Sequence, residues 1–369
     1  MTAATVATAA TALYKYTYTL GRSLYVPLTS RCNSIPLPQT RGPRFLLPRE
    51  VAEALVRVRH AELNPDDTGL DVDFFGDSDD DRVILPSYDL PLINGLYPPA
   101  SLATFSKFNT RKDQHQQHQL NSLFEEDSLQ PSISALVDEV TARLQHDPST
   151  PSSSADKNVQ STFEQVVIAG EGEPTLRMEA LLAIARTVQS LGRQQSNNSA
   201  NQTSRPIPVR VITNGLCYGV SNLGYPTKNS LIPPSRHVVL RDMMEAGITR
   251  ISVALNTANR HEYDVLMSPC CYSVQGSSFG IEKSNKKNEN DDGNNNNGRE
   301  DHGLMPGAAH DLVCEFILEA AKIGMEVEIT GIDRSDVDKF EMDRLARMLL
   351  SVGTSRKRMS KIRWRPYFW

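Results

Sequence analysis

Residues 166–175 have the sequence Val-Val-Ile-Ala-Gly-Glu-Gly-Glu-Pro-Thr, in which an apolar run changes at Gly170 into a turn rich in glycine and glutamate. A short apolar run that ends at glycine is typical of a buried strand, and Pro174 predicts the start of a helix. Glycine lets the backbone approach a ligand closely, and Glu173 would lie where the amides of the helix N-terminus converge. An ordinary strand-to-helix connection often contains the same residue types, so the turn alone leaves a ligand site and a structural turn both open.

The alternation of strand and helix around this turn continues along most of the chain. Helical patterns separate six predicted strands, at residues 24–28, 166–169, 209–213, 251–255, 325–330 and 361–365. Strands separated by helices predict a parallel sheet with right-handed crossovers, either open and doubly wound or closed as a barrel. In both architectures the functional residues lie beyond the carboxyl ends of the strands.

Four polar tracts interrupt this pattern and have the composition of segments that cannot bury a core, at residues 107–130, 147–157, 194–205 and 282–301. Lengthening a surface loop adds little to the entropy of closing it, so a folded domain tolerates such tracts. We therefore predict a disordered N-terminus over residues 1–17, followed by one domain over residues 18–369 that carries four disordered insertions.

Composition narrows the class of protein. The five cysteines are odd in number and scattered, which indicates a reducing compartment. A net charge of −5 does not predict nucleic-acid binding, and no run approaches the roughly 20 apolar residues that span a membrane. We expect a cytoplasmic protein that binds neither nucleic acid nor membrane. The acid-free residues 1–20 leave import into an organelle as the alternative.

Several segments together resemble the radical S-adenosylmethionine (radical SAM) enzymes. Residues 18–26 and 28–33 resemble that family's first strand and cluster loop, and the GEGEP turn resembles its GGEP motif. Thr213-Asn214-Gly215 resembles its TNG turn, and residues 251–256 (ISVALN) resemble its fourth strand. These sequence motifs are most similar to those of the TatD-linked radical SAM subgroup.

The resemblance implies a fold and a cofactor. The fold is a partial (β/α)6 TIM-like barrel of the α/β class, and S-adenosylmethionine would bind at its C-terminal mouth. The positions that match the family's cofactor site are Gly170, Gly172, Glu173, Pro174, Asn214, Ser252 and Asn256.

The resemblance also implies a [4Fe–4S] cluster on three cysteines spaced C-x-x-x-C-x-x-C. Cys32 occupies the first position, but the second and third are Pro36 and Gln39. Proline offers no ligand atom, and an amide oxygen replaces a thiolate poorly in iron–sulfur chemistry. Cys217 follows the TNG turn at the correct end of the barrel and is the best substitute, whereas Cys314 is predicted to pack in the core. We predict that the chain assembles no stoichiometric cluster.

The last two predicted strands carry charge on one face. The acids of residues 325–329 share a face, as do the bases of residues 361–365. Helices cover the outer face of a barrel and favour apolar residues there, so these charges should line the lumen and pair across strands. Solvated charges on edge strands are the alternative. Under the barrel interpretation Glu328, Asp333 and Arg365 are candidate catalytic residues that could contact a polar substrate.

Three functional hypotheses follow, each with a small-molecule ligand. The first is a radical enzyme with an unusual or partner-supplied cluster. The second is a cluster-free protein that binds S-adenosylmethionine or a related nucleoside as a binding or regulatory module. The third is a cofactor-independent barrel enzyme, such as an aldolase or hydrolase, that uses the lumen carboxylates.

Overall fold

The structure of the chain is a computed structural model, and it describes residues 15–30, 32, 34, 39–42, 44–63, 81–84, 131–145, 163–198, 206–216, 236–267, 307–351 and 362–368. The strands in these ranges are β1 (Tyr18–Leu20), β2 (Ser23–Val26), β3 (Leu46–Pro48), β4 (Arg82–Ile84), β5 (Gln165–Ile168), β6 (Val209–Thr213), β7 (Ile248–Asn256), β8 (Glu326–Asp333) and β9 (Arg363–Pro366). The helices are α1 (Arg49–Leu63), α2 (Ile133–Gln145), α3 (Met178–Asn198), α4 (Arg236–Glu245), α5 (Arg260–Met267), α6 (Ala308–Lys322) and α7 (Lys339–Leu350). Short 3-10 helices cover Gln39–Arg41 and Pro174–Arg177.

Six parallel strands form the body of the fold. The strands β2, β5, β6, β7, β8 and β9 are hydrogen-bonded in that order, and every neighbouring pair is parallel. The six strands predicted from the sequence are confirmed in number, order and direction. A doubly wound sheet has a point at which the strand order reverses, and this sheet has none. The sheet curls into a half-barrel.

Residues alternate between the two faces of this sheet. One set packs with helices α2–α7 into the main apolar core and includes Val166, Val211, Val253 and Ile329. Burying each such side chain contributes about 1.5–3 kcal/mol. The alternate residues lie on the opposite face, inside the curl, which we call the lumen. The lumen face of β8 carries Glu326 and Glu328, because their neighbours Val327 and Ile329 belong to the core.

A hairpin extends the first edge of the sheet. β1 pairs antiparallel with β2 through a two-residue turn, in which Gly21 has a φ of +58°. Such two-residue turns favour glycine because they require a positive φ. The sequence predicted one strand here, so the separate β1 is a correction. Helix α1 packs against this hairpin and against the β3–β4 sheet in a second, smaller core.

Glu139 of α2 ties residues 15–17 to the domain. This buried carboxylate accepts hydrogen bonds from the backbone N–H groups of Lys15, Tyr16 and Thr17, at 3.0, 2.9 and 2.7 Å. The Thr17 hydroxyl donates to the same carboxylate at 2.8 Å. The ordered chain therefore begins before residue 18, which the sequence predicted as its start.

The edge strand β9 ends against a distant part of the chain. Arg41 Nε donates to the carbonyl of Pro366 at 2.8 Å, and the Phe368 N–H donates to the carbonyl of Arg41 at 2.8 Å. The rings of Phe45 and Phe368 lie 5.5 Å apart between centroids. A Cβ at Gly42 would lie 2.1 Å from the Phe368 carbonyl oxygen, so only glycine permits this approach. Residues 39–42, 44 and 45 therefore cover the end of the edge strand.

Two further expectations concern the parts of the chain between these elements. Helix α3 continues to Asn198 and includes the first five residues of the tract predicted as an insertion at 194–205. The tracts at 107–130, 147–157 and 282–301, together with Pro36 and Cys217, lie outside the described residues. Across the ranges that the structure describes, no helix has the length and apolar character needed to cross a bilayer.

Candidate functional site

Glu173 lies at the centre of a polar group where three parallel strands end. It follows β5 and caps the 3-10 helix Pro174–Arg177, with extended backbone at φ −88° and ψ 113°. Its Oε1 accepts from the Thr175 N–H at 3.1 Å, from the Thr175 hydroxyl at 2.8 Å and from the Thr213 hydroxyl at 2.7 Å. Its Oε2 accepts from the Asn214 N–H at 2.7 Å. The buried carboxylate therefore joins the turn after β5 to the turn after β6.

Four donors within the protein contact the Glu173 carboxylate, three at Oε1 and one at Oε2. A carboxylate has about four acceptor positions, two on each oxygen, so Oε2 keeps one for a further donor. Burial raises the pKa of the Glu173 carboxyl above its ordinary value, while the hydrogen bonds from Asn214, Thr213 and Thr175 act in the opposite direction. Glu173 therefore positions the two turns, and its contact with a ligand stays a prediction.

Cys32 and Ser34, which follow β2, contact Asn214, which follows β6. All three side chains are buried. Asn214 Nδ2 donates to Ser34 Oγ at 2.9 Å and lies 3.7 Å from Cys32 Sγ, which in turn lies 3.6 Å from Ser34 Oγ. The candidate cluster ligand and the candidate cofactor residues Glu173 and Asn214 are therefore brought together, as the resemblance implied.

Helix α1 fixes both loops at this end of the sheet. Arg59 makes a bidentate ion pair with Glu171 of the GEGEP turn, at 2.6 and 3.3 Å, and both side chains are buried. Glu62 accepts from the hydroxyls of Thr29 and Ser30, and from the Ser30 N–H at 3.0 Å. Sequence analysis missed these residues, although Arg59 and Glu62 are three positions apart and so share one helix face.

The glycines of the GEGEP turn have distinct structural roles. A Cβ at Gly170 would lie 2.6 Å from the Cβ of Pro27, so glycine is required where the turn passes the loop after β2. The Gly172 N–H donates to the carbonyl of Thr29 at 3.1 Å. Pro174 is buried and opens the 3-10 helix, a position that needs no backbone N–H. The turn is thus held closely against the loop that carries Cys32.

We call these residues the mouth group: Thr29, Ser30, Cys32, Ser34, Arg59, Glu62, Glu171, Glu173, Arg177 and Asn214. Arg177 belongs to it because its buried guanidinium donates to the carbonyls of Leu28 and Pro131 at 2.8 and 2.9 Å. These described residues include three carboxylates, of Glu62, Glu171 and Glu173, and two guanidinium groups, of Arg59 and Arg177, so they contain one more acid than base.

A second polar group lies in the lumen, on strands β6, β7 and β8. Ser252 accepts from Arg210 Nε at 2.8 Å and donates to Glu328 Oε2 at 2.6 Å, while Arg210 also forms an ion pair with Glu328. Arg250 pairs with Glu326 at 2.9 Å. The sequence predicted that the acids of residues 325–329 pair with the bases of residues 361–365, whereas the nearest partners of Glu326 and Glu328 are arginines of β7 and β6. Arg210 was missed because a single arginine in an apolar strand gave no pattern.

Arg363 and Arg365 of β9 complete this lumen group together with Arg41. Arg363 Nη1 lies 3.9 Å from Glu328 Oε1, so that carboxylate serves two arginines. Burial lowers the pKa of the Arg365 guanidinium to about 10, and the positive charges of Arg41, Arg363 and Arg210 lower it further. We call these residues the lumen cluster: Arg41, Arg210, Arg250, Ser252, Glu326, Glu328, Arg363 and Arg365.

Besides Glu328 and Arg365 of the lumen cluster, three more sequence-predicted residues lie apart from the mouth group. Ser252 belongs to the lumen cluster. Asn256 ends β7 with a φ of +61°, and its Nδ2 donates to Met267 Sδ at 2.8 Å, so its amide is directed at helix α5 and the core. Asp333 alternates onto the face opposite Glu328 and forms an ion pair with Lys339, with half of its side chain exposed. Asp333 is therefore not a lumen residue, because five positions along a strand reverse the face.

The described groups that contact Cys32 include no second thiolate. They include the Ser34 hydroxyl and the Asn214 amide, which are neutral, whereas a [4Fe–4S] cluster needs several thiolates. The described residues also contain no group of three or more His, Cys, Asp or Glu side chains that could hold a metal ion. Gln39, at the third ligand position, begins the 3-10 helix that ends at Arg41, and Arg41 donates a hydrogen bond to the Pro366 carbonyl.

Cys314 is separate from both groups and behaves as a core residue. It packs partly buried against the main apolar core, and burial raises the pKa of its thiol to about 12. The prediction that Cys314 contributes to packing is confirmed.

No protein-family model matches the sequence, and a search of the curated proteins also finds no match. The functional assignment therefore depends on the topology of the half-barrel and on the chemistry of the mouth group and the lumen cluster.

Proposed function

We propose that the chain is a radical-SAM-like protein that binds S-adenosylmethionine at the C-terminal mouth of a partial (β/α)6 barrel. The observation that carries this proposal is the junction of Cys32, Glu173 and Asn214, which follow β2, β5 and β6 and meet in one buried hydrogen-bonded group. These are the positions at which the sequence resembles the family's cluster loop, GGEP motif and TNG turn. Six parallel strands in sequential order support the same relationship.

The electrostatics of the mouth group fit this cofactor. S-adenosylmethionine carries a sulfonium, an ammonium and a carboxylate, so its net charge is positive, and the mouth group has an acidic excess. The backbone of the turn from Gly170 to Pro174 would hold the ammonium, and Asn214 would present its amide beside it. Glu173 holds those two turns in place. When bound, the cofactor supplies an activated sulfonium carbon.

The cofactor is proposed to bind without an iron–sulfur cluster assembled by this chain alone. The test is iron content after anaerobic reconstitution with iron and sulfide, followed by electron spin resonance of the reduced protein. We expect far less than the about four iron atoms per chain of a complete cluster. A full complement of iron with the matching resonance would overturn this part of the proposal, and Cys32→Ala and Cys217→Ala would then identify the ligands.

Calorimetric titration with S-adenosylmethionine tests the binding itself. We expect saturable binding that Asn214→Ala weakens by roughly tenfold, because one hydrogen bond to a charged group is worth about 1.5–3 kcal/mol. Thr187→Ala is the control, since its hydroxyl donates only to Ala183 within α3. No heat and no thermal shift at millimolar cofactor would remove the proposal and leave the mouth group as a structural junction.

The cofactor-independent enzyme is less well supported. Such an enzyme would need a lumen carboxylate that is available to exchange a proton. Glu328 accepts from Ser252 and is paired with Arg210, and Glu326 is paired with Arg250. Because both carboxylates are already engaged by guanidinium groups, both are better suited to positioning charge than to acid–base catalysis.

A further inference from the structure

The lumen cluster contains more positive than negative charge. It has five guanidinium groups, on Arg41, Arg210, Arg250, Arg363 and Arg365, and two carboxylates, on Glu326 and Glu328. Both carboxylates are already paired, Glu326 with Arg250 of β7 at 2.9 Å and Glu328 with Arg210 of β6. Arg363 shares Glu328 at a longer distance of 3.9 Å. The protein therefore compensates only part of the charge that it places in the lumen.

Arg365 is the residue that this compensation leaves out. Within the described ranges its side chain, which is half-buried, makes no ion pair and no hydrogen bond. Its electrostatic neighbours include the guanidinium groups of Arg41, Arg363 and Arg210, which come from the 3-10 helix, β9 and β6, and the Tyr25 phenol, which acts in the opposite direction on its pKa. Three separate elements thus direct like charges towards one place, an arrangement that lowers stability unless an anion is bound there.

Arg41 has a fixed position and free donors. One of its N–H groups, on Nε, donates to the Pro366 carbonyl, and its guanidinium carbon lies 4.7 and 5.7 Å from the ring centroids of Phe45 and Phe368. These contacts orient the plane of the guanidinium without neutralising it. A planar guanidinium that is already oriented binds an oxyanion with little further loss of entropy.

We propose that the lumen cluster binds the phosphate group of a phosphate monoester, with Arg365 and Arg41 as its principal ligands and Arg363 at its rim. The excess of three positive charges matches a phosphate dianion better than a single carboxylate. Guanidinium groups bind phosphate oxygens through paired, charge-assisted hydrogen bonds. The site is independent of the proposed cofactor, because the cationic cofactor fits the acidic mouth group and the phosphate fits the basic lumen.

Calorimetric titration of the full chain with inorganic phosphate, in chloride buffer of constant ionic strength, tests the site. We expect saturable binding, which Arg365→Gln weakens by about tenfold or more. Arg22→Gln is the matched control, because Arg22 is 68% exposed and pairs with Glu164 at the β1–β2 turn. Equal phosphate affinity in Arg365→Gln and the wild type would overturn the proposal. So would the absence of saturable binding by the wild type up to about 20 mM phosphate, a concentration that detects millimolar dissociation constants.

Thermal unfolding separates a ligand-binding role of Arg365 from a structural one. In phosphate-free buffer Arg365→Gln should unfold at the same temperature as the wild type or higher, since it relieves repulsion among like charges. The increase in Tm on adding phosphate should be present in the wild type and absent in the variant. A lower Tm for the variant in both buffers, with an unchanged phosphate-induced increase, would mean that Arg365 is structural.

Two further titrations define the ligand class. Glycerol 3-phosphate should bind at least as tightly as inorganic phosphate, and failure to bind would exclude phosphate monoesters. Acetate should bind at least tenfold more weakly, and equal affinity would show that a single charge suffices. Asn214→Ala should leave phosphate affinity unchanged while it weakens S-adenosylmethionine binding, so failure of one site is distinguishable from failure of the other.

Discussion

The buried ion pair between Arg59 and Glu171 offers the sharpest test of how the GEGEP turn is held. Arg59→Ala would remove both guanidinium contacts, at 2.6 and 3.3 Å, from a carboxylate that is 1% exposed. Water cannot replace them, so the variant leaves a buried charge without its bidentate partner. Breaking a buried pair in this way costs about 3–5 kcal/mol. We expect that loss in the free energy of unfolding, measured by urea denaturation at pH 7.

The same helix supplies the control. Arg57 pairs with Glu53 at 3.3 Å, and these side chains are 27% and 25% exposed, so Arg57→Ala should cost about 0.3–0.5 kcal/mol. The double variant Arg59→Met with Glu171→Gln should recover most of the loss, because neither charge remains buried. If the free energies of unfolding of Arg59→Ala and Arg57→Ala differ by less than about 1 kcal/mol, the Arg59–Glu171 pair does not hold the turn against α1.

Three other variants test separate features of the fold. Glu139→Ala should lower the free energy of unfolding by roughly 2–4 kcal/mol, because it removes the acceptor of four hydrogen bonds, and the amides of residues 15–20 should exchange hydrogen faster. The control is Asp138→Ala on the exposed face of the same helix, which should change the free energy of unfolding by under about 0.5 kcal/mol. Alkylation mapped by mass spectrometry should find Cys314 unreactive in the native protein at pH 8, because a thiol with a pKa of about 12 is ionised in only about one molecule in ten thousand, and reactive in urea; rapid native labelling would contradict the burial. Burial of His310 lowers the pKa of its imidazole, so the unfolded chain binds the proton more tightly than the folded chain. The free energy of unfolding should therefore decline as the pH falls from about 6.5, the ordinary pKa of histidine, towards the lowered pKa. His310→Gln should flatten this pH dependence, and an unchanged slope would exclude His310 as its source.

The architecture was predictable because its signals are local. Each parallel strand is an apolar run, such as residues 209–213, followed by a helix with buried residues at helical spacing. The hairpin was missed because Tyr18–Val26 has few breaks in its pattern, and the turn depends on Gly21 alone. The sequence therefore predicted the sheet well and its edges less well, since edges depend on single turn residues.

The candidate site was predictable only where it follows a strand directly. Glu173 and Asn214 were found because their turns come immediately after β5 and β6. Arg59 and Glu62 reach the same place from a helix that precedes β5 by about a hundred residues, and no local pattern marks such partners. Asp333 was predicted only to lie toward the carboxyl end of its strand, and it lies there on the face opposite Glu328 because the two residues are five positions apart.

The contact between Arg41 and the end of β9 has a consequence for biosynthesis. Arg41 and Pro366 are 325 positions apart, so at about 5–20 residues per second Arg41 is added to the chain roughly 16–65 s before Pro366. Contacts of such high sequence separation form late in folding. The lumen cluster needs both segments, and so phosphate affinity should be among the last properties that a newly made chain acquires. The moment at which phosphate binding appears would therefore mark the completion of the half-barrel, after the mouth group and its strands have formed.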